Sequence, residues 1–370
     1  MQSRELSFNN GVFRILQITD IQEPPSINSN TMRLINAALD YARPDFAVLT
    51  GDQIKGYSTS FFSGNIKEKT EKLIKDICAP MAERNIPFTA TFGNHDEQCG
   101  IGKELQAEMY KSCPGFVYGE PAVFGDYGTF VLSVEDKYLI WIFDTHEKDG
   151  HGGFGCLHPD QIEWYRKTRD EYEKKCGRLL PGIAFQHIPT PEFFEVLHKV
   201  SPLIPGSIRA YGPHKNTWYK LDPHNSGLRD FLGEAPAPSH INSGEIDAFL
   251  EKGDVKALFA GHNHNNSYVA DYKGIALGFT QGCGFNVYGP GLNRGVRYID
   301  IYPDGHFETR TLTYRELCGT EYDNKLIYLK QAVAPVSVAG VKTAFKELGI
   351  TAGAVGAVTA AVKIIKKYKR

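Results

Sequence analysis

Apolar positions recur along this chain in two rhythms. Residues 12–19, 45–50 and 86–91 are short runs rich in β-branched and aromatic side chains, the pattern of buried strands. Between them the spacing becomes helical. Leu34, Ile35, Ala38 and Leu39 share one face over 30–41, with Asn30 as the predicted cap, and Leu73, Ile74, Ile77, Cys78 and Met81 share one over 66–84. This predicts strand–helix–strand–helix–strand. Each strand runs into polar residues: Asp20, then Gly51-Asp52, then Gly93-Asn94-His95-Asp96-Glu97. In open α/β sheets, ligands sit beyond the carboxyl ends of the strands, so these clusters read as a site.

Further along, 98–127 reads as irregular, and 128–134 with 138–143 reads as a hairpin across Glu135-Asp-Lys. Pro159 opens a helix to about 175, 182–186 is a strand followed by His187, and Thr190-Pro-Glu opens another capped helix. Residues 201–243, rich in Pro, Gly, His and Asn, read as long loops of the kind that cover active sites. A short helix from Ser243 leads to a strand at 255–260, which ends in Gly261-His-Asn-His264. The runs 266–271, 274–279, 295–301 and 306–312 predict a mostly antiparallel second sheet.

Composition narrows the class without naming it. The chain has 370 residues with 42% hydrophobic and 23% charged side chains, which suits a globular protein of one large domain. With 41 basic and 43 acidic side chains there is no nucleic-acid-binding signature in the charge. The seven cysteines are scattered and form no C-x-x-C pair, and Met1 to Leu6 carries no apolar leader run, so a reducing, cytoplasmic setting is expected.

The strand ends collect Asp20, Asp52, Asn94, His95, His187, His262 and His264. Taken singly, either aspartate reads as a cap after a strand, Asn94 as a turn former and His187 as a core histidine. Taken as an ordered set, they supply the hard oxygen and imidazole ligands that a two-metal hydrolase needs, including a carboxylate able to bridge two ions. His146, His151, His158, His214, His224 and His240 read as structural or exposed by default. For Glu234 and Arg294 a loop anchor is the plainer reading, and for the glycine-rich 282–295 tight turns explain the composition as well as phosphate contact does.

The order Asp, Gly-Asp, Gly-Asn-His-Asp/Glu, His, Gly-His-x-His resembles the motif set of the calcineurin-like metallophosphoesterases over roughly residues 12–270. The stretch from Glu234 to Gly295 is similar to the branch that holds yeast Dcr2-type and plant purple-acid-phosphatase-29-type proteins. The resemblance implies an α/β fold of two packed mixed β-sheets flanked by helices, a four-layer sandwich. It implies two divalent metal ions (Mn, Mg, Zn or Fe). The first would take Asp20, Asp52 and His264, and the second Asp52, Asn94, His187 and His262. His95 would be the catalytic histidine, Asp96 would orient it, and a hydroxide on the metals would attack phosphate mono- or diesters.

Two positions depart from the family pattern. The first motif is usually Asp-x-His, but here it reads Asp20-Ile21-Gln22. A carboxamide coordinates zinc or iron less well than imidazole does, so Gln22 as a ligand favours Mn or Mg, with the adjacent Glu23 as a candidate to compensate. Lys55 stands where the purple branch has tyrosine, so the coloured Fe(III)–tyrosinate is not expected.

The chain therefore divides into a catalytic domain over 1–325 and a helical tail over 326–370. Residues 348–362 of the tail are uncharged and are followed by Lys363, Lys366, Lys367, Lys369 and Arg370. The tail reads either as membrane-associated, with its lysines at the surface, or as a docking helix with a basic end. The rival to an enzyme is a non-catalytic scaffold with a weakened first metal site, which Gln22 favours.

Overall fold

The computed structural model describes residues 5–119, 122, 125–222 and 230–320. The predicted tail and His224 lie outside the described residues. Among those described, no helix is long and apolar enough to cross a membrane.

The first half begins with the predicted alternation: β1 (Phe13–Ile18), α1 (Ser29–Ala42), β2 (Phe46–Thr50), α2 (Ile66–Glu83) and β3 (Phe88–Thr91). Then come α3 (Lys103–Lys111), β4 (Phe130–Val134), β5 (Tyr138–Ile142), α4 (Pro159–Cys176) and β6 (Gly182–Gln186). The strands β7 (Leu197–Val200), β8 (Ile208–Arg209) and β9 (Trp218–Leu221) form a small antiparallel sheet, followed by β10 (Phe231–Leu232). After α5 (Glu245–Leu250) and β11 (Val255–Ala260) come β12 (Asn266–Ser267), which pairs with β10, then β13 (Val269–Tyr272) and β14 (Ile275–Phe279). The described chain closes with β15 (Gly295–Ile301), β16 (Phe307–Thr313) and α6 (Tyr314–Cys318).

Two mixed sheets dominate, with orders β16-β15-β1-β2-β3 and β13-β14-β11-β6-β5-β4. The alternation of side chains along β1 shows why they stack. Phe13 and Ile15 point into a core shared with Ile140, Ile183, Phe185 and Phe259 of the other sheet, whereas Leu16 and Ile18 point the other way, onto α1 and α2. The second sheet does the same: Trp141 and Leu258 meet Tyr165 of α4 and Phe249 of α5 on its outer face. Helix, sheet, sheet, helix is the resulting order of layers. The β1–β15 register is pinned where Arg14 lies opposite Asp300, its Nε donating to Oδ1 at 2.6 Å and its Nη2 to Oδ2 at 2.5 Å.

Several local expectations need correcting. The late strands do not form one second sheet. β13 and β14 extend the β11 sheet, while β15 and β16 return to pair beside β1, a placement that buries Val296, Ile299 and Ile301. Within 98–127 the helix α3 forms, since Ala107, Met109 and Tyr110 bury one face of it. The predicted helix after Thr190 is only a turn, Pro191–Phe194, before β7. The cap of α1 is Asn28, whose side chain accepts from Asn30 N at 2.9 Å.

Glu245 opens α5 and is buried, with Glu192 close by. Glu245 Oε1 and Glu192 Oε2 both lack hydrogen-bond partners. Burial, then the charge of Glu192, pushes the Glu245 carboxyl up from 4.5 to about 8. The folded protein therefore holds a proton there that the unfolded chain releases, and stability falls as pH rises through that window. Glu245→Gln is expected to melt with wild type near pH 5 and higher than wild type by about 3 °C or more near pH 9. Thermal denaturation across that range checks it, and parallel curves would show that the carboxyl ionises freely.

Candidate metal centre

Three loops at the carboxyl ends of β1, β2 and β3 meet the loops after β6 and β11. Backbone pairing continues past the strands: Asp20 N donates to Gly51 O at 3.2 Å and Gln22 N to Asp52 O at 2.8 Å. Asp20, Gln22, Asp52 and His262 all hold left-handed backbone, with φ of 52°, 37°, 52° and 69°. Such conformations cost a non-glycine residue on the order of 1–3 kcal/mol and persist where the surroundings enforce them. The loops also approach too closely for extra atoms. A Cβ on Gly93 would lie 2.2 Å from Asp52 Oδ1, and one on Gly51 would lie 2.6 Å from His187 Nδ1.

Asp52 is the centre of the arrangement. Its Oδ1 accepts from His95 N at 2.8 Å. Its Oδ2 faces His187 Nε2 at 3.3 Å, His95 Nε2 at 4.0 Å and the Gln22 amide nitrogen at 2.5 Å. Asp20 lies beside it, with Oδ1 3.1 Å from His264 Nε2 and Oδ2 accepting from His262 N at 3.0 Å. Ligand atoms of Asp20, Asp52 and His187 fall within 4.8 Å of one another. Asn94, His262 and His264 line the same cavity of about 240 Å³, so the predicted ligand set converges on one place.

The donor atoms have the character that metal ligands require. Asp20 Oδ1, Asn94 Oδ1 and His187 Nε2 are buried yet complete no hydrogen bond. His187 Nδ1 is held by Thr50 O at 3.0 Å and His264 Nδ1 by Tyr288 O at 2.8 Å, which leaves both Nε2 atoms directed inward. The His264 ring also stacks on Tyr288 at 4.1 Å. Burial alone would raise Asp52, but the charges and hydrogen bonds of His187 and His95 together outweigh it and hold the carboxyl well below its ordinary range. Burial pulls His187 down, yet Asp52 carries it up to about 9. Burial and the nearby His187 push His262 down to about 3, so its imidazole is neutral and free to coordinate. The residues present fit divalent ions in donor type and in the unpaired oxygens of Asp20 and Asn94, with His187 giving up its proton on binding.

Some sequence expectations are revised here. Asp96 does not orient His95. Its Oδ2 accepts from Asp52 N at 2.9 Å and Gly93 N at 2.7 Å, and its Oδ1 accepts from Ile54 N at 2.9 Å. Gln98 does the orienting instead: its amide nitrogen is spent on Asn94 O, and its Oε1 lies 2.9 Å from His95 Nδ1. Gln22 stands in the site but presents its nitrogen to Asp52, while its Oε1 accepts from Tyr57 OH at 3.3 Å. Glu23 cannot compensate, because its carboxylate is engaged with Thr31, Asn28 N and Asn286. Lys55 turns away to Asn286 O. Glu234 and Arg294 are loop anchors, to Asn265 N and to the carbonyls of Gly284 and Val287.

Sequence reading missed Tyr57, Lys148 and Phe154. Tyr57 packs edge-on against His95 at 4.8 Å, and burial with the Asp52 charge pushes its hydroxyl up to about 12. Phe154 sets its ring 4.2 Å from His262. Lys148 lines the cavity 4.7 Å from the Phe154 ring, and no carboxylate lies within ion-pair distance of it among the described residues. All three stand in loops outside the strand-end motifs, where no spacing marks them.

Known proteins carry the same pattern. The calcineurin-like phosphoesterase family matches residues 13–266. The chain is similar to the probable inactive purple acid phosphatase 14 of Arabidopsis thaliana, 25% identical over 342 residues that cover 80% of this chain and 77% of the relative. It is equally similar to the probable inactive purple acid phosphatase 29 of that plant, 25% identical over 343 residues that cover 81% and 79%. Phosphatase DCR2 of Saccharomyces cerevisiae is 23% identical over 291 residues, which cover 70% of this chain and 45% of that protein. With a family match that spans residues 13–266, more than half of its length, the chain belongs to the calcineurin-like phosphoesterases.

Proposed function

We propose that the protein is a metal-dependent hydrolase of phosphate mono- or diesters. The observation that carries the reading is the convergence of Asp20, Asp52, Asn94, His187, His262 and His264, among which Asp20 Oδ1, Asn94 Oδ1 and His187 Nε2 are buried and complete no hydrogen bond. One ion would be held by Asp52, Asn94, His187 and His262, and the other by Asp20, Asp52 and His264. Such ions, when bound, supply Lewis acidity to a phosphoryl oxygen and lower the pKa of a water.

The chain's own groups supply the rest. His95 is 29% exposed along its side chain, so its ring reaches the cavity. With Nδ1–H fixed on Gln98 Oε1, Nε2 is the atom from which the doubly protonated ring would release a proton to the leaving oxygen. The Lys148 ammonium faces the same space and can take a phosphoryl oxygen. Tyr57 and Phe154 pack edge-on against His95 and His262 and limit how far each ring can turn.

A second reading has a specific observation behind it. The Gln22 amide donates to the carboxylate that would bridge the ions, which favours a scaffold with a weakened first site. The names of the plant relatives mark those proteins as probable inactive phosphatases.

Two measurements separate these readings. The protein loaded with Mn, Mg, Zn or Fe is expected to hydrolyse p-nitrophenyl phosphate or its bis ester, and His95→Ala to lower that rate by about 10²–10⁴-fold with metal content retained. No turnover with any metal would move the conclusion to the scaffold. Gln22→His is expected to make the less tightly held ion bind about tenfold tighter, read by isothermal titration with Zn²⁺. An unchanged titration would show that position 22 does not set the affinity.

A further inference from the structure

Beside the metal cavity lies a second, apolar cleft of about 300 Å³. The two share three walls: Phe154, Tyr211 and Ala237 line both. Much of the remaining wall is proline, from Pro191, Pro213, Pro236 and Pro238. Proline offers no N–H, so this surface has few donors with which to hold a polar or hydrated group. Flat surfaces are available instead. The His214 ring stacks on Phe194 at 4.0 Å, and Tyr211 stands half-exposed at the junction with the metal cavity.

The junction is built, not incidental. Lys148 and Phe154 pair across a small turn, so that one strap delivers a cation to the metal cavity and an aromatic ring to the wall between the cavities. Asp149 fastens that strap to the far wall: its Oδ2 accepts from His240 N at 2.9 Å and from Ser239 Oγ at 3.3 Å. Its Oδ1 accepts from His151 N at 2.7 Å and Gly153 N at 2.9 Å, which closes the turn.

We propose that this cleft seats the alcohol portion of the substrate, and that it selects phosphate esters whose alcohol carries a planar apolar ring. The proposal rests on the phosphoesterase reading and adds the substrate class. The adjacency of the two cavities across Phe154, Tyr211 and Ala237 is its ground: a phosphoryl group at Asp52 and His95 has the cleft as its neighbouring space. The volume suits one or two fused rings and excludes a bulky polymer. Tyr211 is the specificity-determining residue at the junction.

The test uses two phosphonates that are not hydrolysed, 2-naphthylmethylphosphonate and methylphosphonate, titrated into the full-length metal-loaded protein by calorimetry. Wild type is expected to bind the naphthyl compound at least about tenfold tighter. Tyr211→Ala is expected to shrink that preference to under about twofold, and Tyr211→Phe to keep it, because the ring and not the hydroxyl forms the wall. His214→Ala, at the far end of the cleft, is expected to weaken the preference as well. A protein that hydrolyses p-nitrophenyl phosphate but binds the two phosphonates equally would overturn this proposal alone. So would a preference that survives Tyr211→Ala. Failure to bind either phosphonate, together with no turnover, would overturn it along with the reading it rests on.

Discussion

The Asp96 carboxylate holds the site together. It accepts the backbone N–H groups of Asp52 and Ile54 from one loop and of Gly93 from the next. These are donors at the end of a parallel sheet, where β2 and β3 stop and ladder pairing can no longer satisfy them. One buried acceptor serves all three and fixes the spacing of the two loops. Burial, then the Asp52 charge, raises the Asp96 carboxyl to about 7, so the arrangement is held at an electrostatic cost.

With that spacing fixed, the rest follows from crowding. Gly93 has no side chain because Asp52 occupies the space, and Gly51 has none because His187 does. Asp20, Gln22, Asp52 and His262 are pressed into left-handed backbone so that their side chains can turn toward one point at the end of both sheets. The strain is carried by the layers beneath. The cores formed by Ile15, Phe46, Ile183 and Phe259 between the sheets, and by Leu16, Leu34 and Ile74 under the helices, are closed to solvent and leave the loops no room to relax.

What could be read from the sequence divides along a physical line. Strands β1, β2, β3, β6 and β11 were legible because they are buried runs of β-branched and aromatic residues that each end in a polar cluster. The convergence of Asp20, Asp52, Asn94, His187, His262 and His264 was legible because each is a hard oxygen or imidazole donor at the end of a strand, and such ends meet at one edge of the layers. The sheet to which β15 and β16 belong was not legible, since local alternation does not record which partner a strand pairs with. The helix α3 was hidden by its brevity. The resemblance implies that Asp96 orients His95, yet neighbours in a tight turn point apart, and Gln98, three residues on, reaches the ring. Tyr57, Lys148 and Phe154 come from loops with no periodicity, so only the folded chain reveals them.

The site is asymmetric, and its asymmetry has one origin. On one side of Asp52, Asn94 Oδ1 completes no hydrogen bond and His262 is neutral, while the His187 ring, charged beside Asp52, would have to give up its Nε2 proton to an ion. On the other side Asp20 and His264 are just as well placed, and Tyr288 and Glu234 brace the loop that carries His264. There, however, the Gln22 N–H already occupies the Asp52 oxygen that an ion would need, and Tyr57 steadies the amide in that orientation. An ion on this side must compete with a buried hydrogen bond and turn the amide over, breaking the contact to Tyr57. The two sides of Asp52 therefore differ through a single side chain, Gln22, whose amide is committed to the carboxylate and to Tyr57.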